Sequence, residues 1–154
     1  MRPSLLRSQA ARCAETGTLI VEAMMGLFDG AADGSGSAGD LAALLSLPVV
    51  LVVDCGRTSQ SVAALVTGFS RFRSDVQIVG VILNRVGSDR HDGMLREAMA
   101  KTEVPVLGSL RSDKSLSLPE RHLGLVQAAE HIALDAFIER AADAVSAGVD
   151  LEAL

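Results

Sequence analysis

Apolar residues fall along this chain in two kinds of block. Short aliphatic runs, at 18–23, 49–53, 77–83 and 105–108, are too brief for helices and rich in Val, Leu and Ile. They predict strands buried on both faces, as in a parallel sheet. Between them lie longer stretches with apolar residues at helical spacing: 4–15, with Ser4 as predicted N-cap ahead of Leu5 and Leu6, the brief 40–46, and a helix from Thr58 or Ser59 to Phe72. Two more helices are predicted at 88–101, with Met94, Leu95, Ala98 and Met99 inward, and at 125–147, with Ile132, Phe137, Ile138, Ala141 and Val145 on its apolar side. Strand alternating with helix predicts a single α/β domain over 1–154, a right-handed parallel sheet with helices on both faces.

Composition narrows the function classes. The chain has 154 residues, enough for one core, and a net charge of −5. Its only lysines are Lys101 and Lys114, and its lysines and arginines form no local cluster in the sequence, which with the negative net charge argues against neutralising nucleic-acid phosphates. The final predicted helix is acidic on its polar side, which argues against a membrane-surface role, and no apolar run approaches a membrane span. Cys13 and Cys55 have neither metal-ligand spacing nor disulfide density and predict reduced, packed thiols in a cytoplasmic protein. His91 and His131 read as solvated helix residues.

The run Leu19-Ile20-Val21-Glu22 carries candidate chemistry, because it puts one carboxylate at the predicted C-terminal end of a buried strand. Open α/β sheets bind ligands at that rim, and Mg²⁺ held together with phosphates is a natural partner for the charge. Gly26, Asp29 and Gly30 follow in a turn where glycine lets backbone approach a ligand. Asn84 ends the third predicted strand, where its amide could meet the edge of adenine or simply cap the strand. Arg85 could flank a nucleotide or make a surface ion pair. Arg121 and His122, between Pro119 and Gly124, could contact a carboxylate or be structural.

Four segments in order resemble one family: Glu22-Ala23-Met24-Met25-Gly26-Leu27-Phe28-Asp29-Gly30, the run from Leu47 to Asp54, Gly80 to Val86, and Leu118 to Leu125. The chain resembles the cobyrinic (or hydrogenobyrinic) acid a,c-diamide synthases, whose ATP-binding domain is similar to dethiobiotin synthetase and has a P-loop NTPase-like fold. The resemblance implies an ATP- and glutamine-dependent ligase that amidates two corrin carboxylates in cobalamin biosynthesis. It implies Glu22 as a Mg²⁺ ligand, Asp29 beside the carboxylate being activated, and Asn84 on adenine. It also makes Gly26, Gly30, Arg121 and His122 substrate-binding candidates, with Arg85 at the nucleotide.

Departures from the family pattern qualify this. No G-x-x-x-x-G-K-[ST] loop occurs, and the glutaminase nucleophile has no counterpart, so the chain corresponds to the part following the P-loop strand. Such a piece is expected to be inactive alone, with an uncovered sheet edge and a tendency to self-associate or form a homodimer. Ala23 replaces a Gly, and Arg111-Ser112 stand where the family commonly has Pro-Arg. Two other readings remain. One is a degenerate, non-catalytic nucleotide- or partner-binding module of the same fold. The other is a dinucleotide-binding domain, suggested by Gly34-Ser35-Gly36-Ser37-Ala38-Gly39, although that fingerprint should follow its strand directly and here a loop intervenes.

Overall fold

The structure, a computed structural model, describes residues 2–15, 17–23, 25–116, 120–121, 124–125 and 134–154. Its elements in order are α1 (Pro3–Ala14), α2 (Ala38–Leu45), β1 (Val49–Asp54), α3 (Ser61–Phe72), β2 (Ile78–Val86), α4 (Asp89–Met99), β3 (Val106–Arg111), a 3-10 turn (Lys114–Leu116), β4 (Glu120–Arg121), β5 (Gly124–Leu125) and α5 (Leu134–Gly148). The chain divides into two compact units. One comprises Met1–Val49 and Phe69–Val79; the other comprises Val50–Gly68 and Gly80–Leu154.

Three strands form a sheet in the order β1-β2-β3. Val49 N–H donates to the Gln77 carbonyl and Cys55 N–H to the Asn84 carbonyl, so β1 and β2 run parallel, as do β2 and β3. The α/β class with a parallel sheet is therefore as the sequence predicts. Most of the buried apolar side chains lie in the second unit, where Leu83, Leu95, Val62, Val66, Val81 and Val86 are essentially inaccessible. Each such side chain contributes roughly 1.5–3 kcal/mol when withdrawn from water. Gly80 matters here because a Cβ would run into the Leu107 side chain of the neighbouring strand. Along the outer edge of β3, Gly108 bridges to Val149 and Asp150 N–H donates to Leu107 O at 2.8 Å.

In the first unit, Ser37 opens α2 with a reciprocal cap: its hydroxyl accepts from Asp40 N–H, while the Asp40 carboxylate takes the Gly36 and Ser37 N–H groups. Arg73 then reaches Asp40 at 2.5 Å and Asp75 at 2.6 Å. Hydrogen bonds from its guanidinium hold both carboxyls below the usual range. Phe28 lies against Gly39, stacks on Phe69 with ring centroids 5.8 Å apart, and meets Phe72 in a tilted arrangement at 4.9 Å.

Several expectations need correction. Residues 18–23 belong to neither sheet, and Ile20 is 86% exposed. An apolar run becomes a strand only when an adjacent strand takes up its N–H and C=O groups, and none does so among the described residues. Glu22 thus sits in an exposed irregular segment rather than at a strand end. The first helix is entered through Arg2 and Pro3, not capped by Ser4. Leu125 pairs with Glu120 in the β4–β5 ladder, so the last helix does not begin there. Its half-buried stripe is Leu134, Phe137, Ala141, Ala144 and Val145, whereas Ile138 is exposed. Leu65 and Met94 also face outward more than their spacing predicts.

Candidate functional site

The first unit gathers three of the predicted site residues. Asp29 N–H donates to the Gly26 carbonyl at 2.9 Å, closing a tight turn. The Asp29 carboxylate folds back over Gly26, and a Cβ there would strike it. Gly30 faces the Ser35 backbone, with the Ser35 carbonyl carbon 3.0 Å from where its Cβ would stand. Ala31 N–H donates to Ser35 O and Gly39 N–H to Leu27 O, so the loop is cross-tied at both ends. Within it the Ser35 hydroxyl and N–H hold the Asp33 carboxyl below its ordinary range. Glu22 is exposed, and among the described residues no hydrogen bond or ion pair joins it to Asp29.

The glycine-rich 34–39 run is an internal turn, with Gly34 and Gly36 both at φ 78°. The N–H groups that a pyrophosphate would need at the start of α2 are already taken by the Asp40 carboxylate. That occupancy, and the absence of a strand directly before the run, argue against the dinucleotide fingerprint.

The second unit carries Asn84 and Arg85 at the C-terminal rim of the sheet, where α/β folds bind ligands. From Leu83 to Val86, β2 takes three steps while β3 takes two from Ser109 to Arg111, which makes a bulge. Arg85 occupies it at φ 60°. A left-handed conformation costs a non-glycine residue about 1–2 kcal/mol, so the bulge is held by its surroundings. Asn84 Oδ1 accepts from Arg85 N–H at 2.9 Å, and Arg85 Nη1 lies 2.8 Å from Asp54 Oδ2. Asp54 Oδ1 in turn accepts from Gly56 N–H at 2.8 Å. Beneath, Cys55 is fully buried, and burial, followed by the charge of Asp54, pushes its thiol up.

The ion pair reading of Arg85 is thus realised, and its partner is Asp54, which the sequence places at the end of a strand without linking it to Arg85. An acid closing one strand and an arginine closing the next are the local signals that could have joined them. Nearby, Arg111 pairs with Asp89. Asp92 is opposed by burial, yet hydrogen bonds from Arg96 and Ser109 leave its carboxyl below the ordinary range. Arg121 lies in β4, and His122 lies outside the described residues.

Among the described residues no cluster of three or more His, Cys, Asp or Glu is placed to hold a metal. Mg²⁺ is commonly held by only one or two carboxylates, with phosphates and water completing its shell. The exposed oxygens of Glu22 and Asp29 fit that partial role by their chemistry. No helix among the described residues is long and apolar enough to cross a membrane.

Comparison with known proteins extends this picture over the whole chain. The chain is 65% identical over 155 residues to the hydrogenobyrinate a,c-diamide synthase of Rhizobium meliloti (strain 1021). It is 63% identical over 156 residues to the protein of that name from Brucella ovis (strain ATCC 25840 / 63/290 / NCTC 10512), and 47% identical over 158 to that from Agrobacterium fabrum (strain C58 / ATCC 33970). Each alignment covers 100% of this chain and 36% of the relative, so the chain spans about a third of the length of the curated relatives it matches. No solved structure matches it. Residues 7–126, which hold both the Gly26–Gly30 turn and the Asn84–Arg85 bulge, match the CbiA family model, and the chain belongs to this family, the CobQ/CobB/MinD/ParA nucleotide binding domains.

Proposed function

We propose that this chain is the nucleotide-handling region of a hydrogenobyrinate a,c-diamide synthase, forming one α/β domain of that cytoplasmic enzyme. The observation that carries the reading is 65% identity in an alignment that covers the whole of this chain. Its reaction would join ammonia derived from glutamine to two carboxylates of a corrin substrate, with ATP driving each amidation.

The chemistry explains what such a region must do. A carboxylate lacks a leaving group at neutral pH, so an oxygen of the acid attacks the γ-phosphorus and ADP departs. Ammonia then attacks the acyl carbon, phosphate leaves, and the nitrogen loses one proton to give the amide. The protein supplies alignment and charge balance rather than covalent work. Asn84 would face adenine with its NH₂ donors and the remaining lone pair of Oδ1, and Arg85 would flank the base. Asp29, folded over Gly26, would lie beside the acid being activated, with Gly30 allowing close approach of backbone. Arg121 and His122 would meet carboxylates at the periphery of the corrin. Glu22 would contribute to holding Mg²⁺, which when bound offsets the charge of the phosphates.

Amidation by the full-length protein, supplied with hydrogenobyrinic acid, ATP, Mg²⁺ and glutamine and followed by mass spectrometry, tests the reading. Diamide should form, and Glu22→Gln should abolish it. Wild-type turnover in Glu22→Gln would remove that residue from the mechanism. Neither turnover nor nucleotide binding in the unaltered protein would instead favour a non-catalytic module. The exposed apolar side chains of Ile20, Met25 and Val52 support self-association, which sedimentation would measure.

A further inference from the structure

We infer that Asp54 is a positioning residue for recognition of the nucleobase, acting through Arg85 on Asn84. The inference rests on the reading of Asn84 as the adenine contact. Its starting point is the left-handed backbone of Arg85, φ 60°, in a chain that uses glycine at most of its other positive-φ positions. Glycine would adopt this conformation without strain, so an arginine there points to use of its side chain. That side chain goes to Asp54, and the Asp54 carboxylate is itself fixed by the Gly56 N–H. A Cβ at Gly56 would stand 3.2 Å from Asp54 Oδ1, a tight approach to the carboxylate, and in ordinary contact with Arg85 at 3.6 Å.

The consequence falls on Asn84. Its Oδ1 accepts from the Arg85 N–H, so the plane of the amide is tied to the backbone that Asp54 helps to hold. If the Asn84–Arg85 peptide plane turns as Arg85 leaves its left-handed conformation, that N–H swings away and the Asn84 amide is released to flip. A flip swaps the two ends of the amide, so the free Oδ1 lone pair that would accept from the base is replaced there by an NH₂ donor. Adenine carries a donor amine at its six-position, whereas guanine carries an acceptor oxygen there. Loss of the Asp54–Arg85 pair should therefore erode the choice between the two bases more than it erodes nucleotide affinity as a whole.

Titration of the full-length protein with ATP and with GTP, by calorimetry, tests this. Asn84→Ala should collapse the ATP-over-GTP ratio. Asp54→Asn should lower it by about two- to fivefold, the scale of a largely exposed ion pair. Arg85→Gly keeps the backbone conformation accessible without the guanidinium and should lower the ratio comparably, at an unchanged melting temperature. The double variant should be no worse than either single one, because both remove the same link. An unchanged ratio in Asp54→Asn and Arg85→Gly, with Asn84→Ala impaired, would overturn the role of Asp54 and leave the adenine contact standing. So would fully additive losses. An unchanged ratio in Asn84→Ala would overturn the adenine contact itself, and the role of Asp54 with it.

Discussion

The imidazole of His91 lies with Nε2 2.7 Å from the carbonyl oxygen of Thr58, tying the loop after β1 to the first turn of α4. Its other nitrogen, Nδ1, accepts from Gly87 N–H at 3.1 Å. A nitrogen that accepts carries no proton, so the hydrogen is on Nε2 and is donated to Thr58. His91 is thus a strut joining two loops at the C-terminal rim of the sheet, not the solvated helix residue its sequence position suggests. The same helix start is capped by Ser88, whose hydroxyl accepts from His91 N–H.

Replacing that strut should loosen the rim. His91→Ala should cost about 1 kcal/mol, the net worth of an ordinary hydrogen bond in a partly exposed setting. His91→Gln offers both a donor and an acceptor and should recover part of the loss. Urea unfolding of the two variants checks this, and equal destabilisation would show that the ring's packing, not its hydrogen bonds, is what counts.

What could be read from the sequence was what local pattern controls. Val49–Asp54 and Ile78–Val86 are aliphatic runs closed by polar residues, so local composition identified both as strands, although only the second is central to the sheet and Val52 of the first is exposed rather than buried. The Gly26–Asp29 turn and the placement of Asn84 near a strand end were legible for the same reason: turn residues and strand ends leave local marks. Pairing leaves none. Residues 18–23 have the composition of a strand, yet a strand also needs a neighbour, which no pattern within the segment specifies. The Arg85–Asp54 ion pair joins residues far apart in sequence, and neither residue's surroundings name the other. The extension of β2 to Val86 was likewise hidden, because it depends on a bulge at an arginine.

Acid stability should depend on Arg73. Asp40 and Asp75 have folded-state carboxyls held below their ordinary range by hydrogen bonds from this guanidinium. A depressed carboxyl contributes stability that is present above its unfolded pKa, about 3.9, and is lost as pH falls through the lower folded value. Arg73→Met should flatten the pH dependence of the unfolding midpoint below about pH 4. It should also lower stability modestly at neutral pH, since the pair is partly exposed. A variant with the wild-type acid profile would show that other carboxylates govern it.

The two cysteines should differ sharply in reactivity. Cys55 is fully buried beneath the Asp54–Gly56 turn, its thiol pushed up by burial and donating to Val53 O at 3.4 Å, whereas Cys13 is exposed on α1. Thiolate is the reactive form, so the buried thiol is disfavoured both by access and by ionisation. Maleimide at neutral pH, followed by peptide mapping, should label Cys13 quickly and Cys55 only after denaturation. Rapid labelling of Cys55 in the native protein would mean that the rim turn opens readily.

Two glycines of the second unit should respond differently to alanine, because one faces a side chain and the other faces backbone. At Gly80 the new methyl meets the branched end of Leu107, which can move or be trimmed. At Gly108 it meets the Gly148 carbonyl oxygen and, 2.6 Å away, the Val149 Cα, so the chain end of α5 must leave the edge of β3. Each substitution should cost about 1–3 kcal/mol as overpacking. Adding Leu107→Val should recover stability in Gly80→Ala, whereas trimming Val149 to Ala should not rescue Gly108→Ala, since the obstruction is main chain. Urea midpoints of the two pairs of double variants decide it, and equal rescue at both sites would show that α5 is held at that edge by side chains alone.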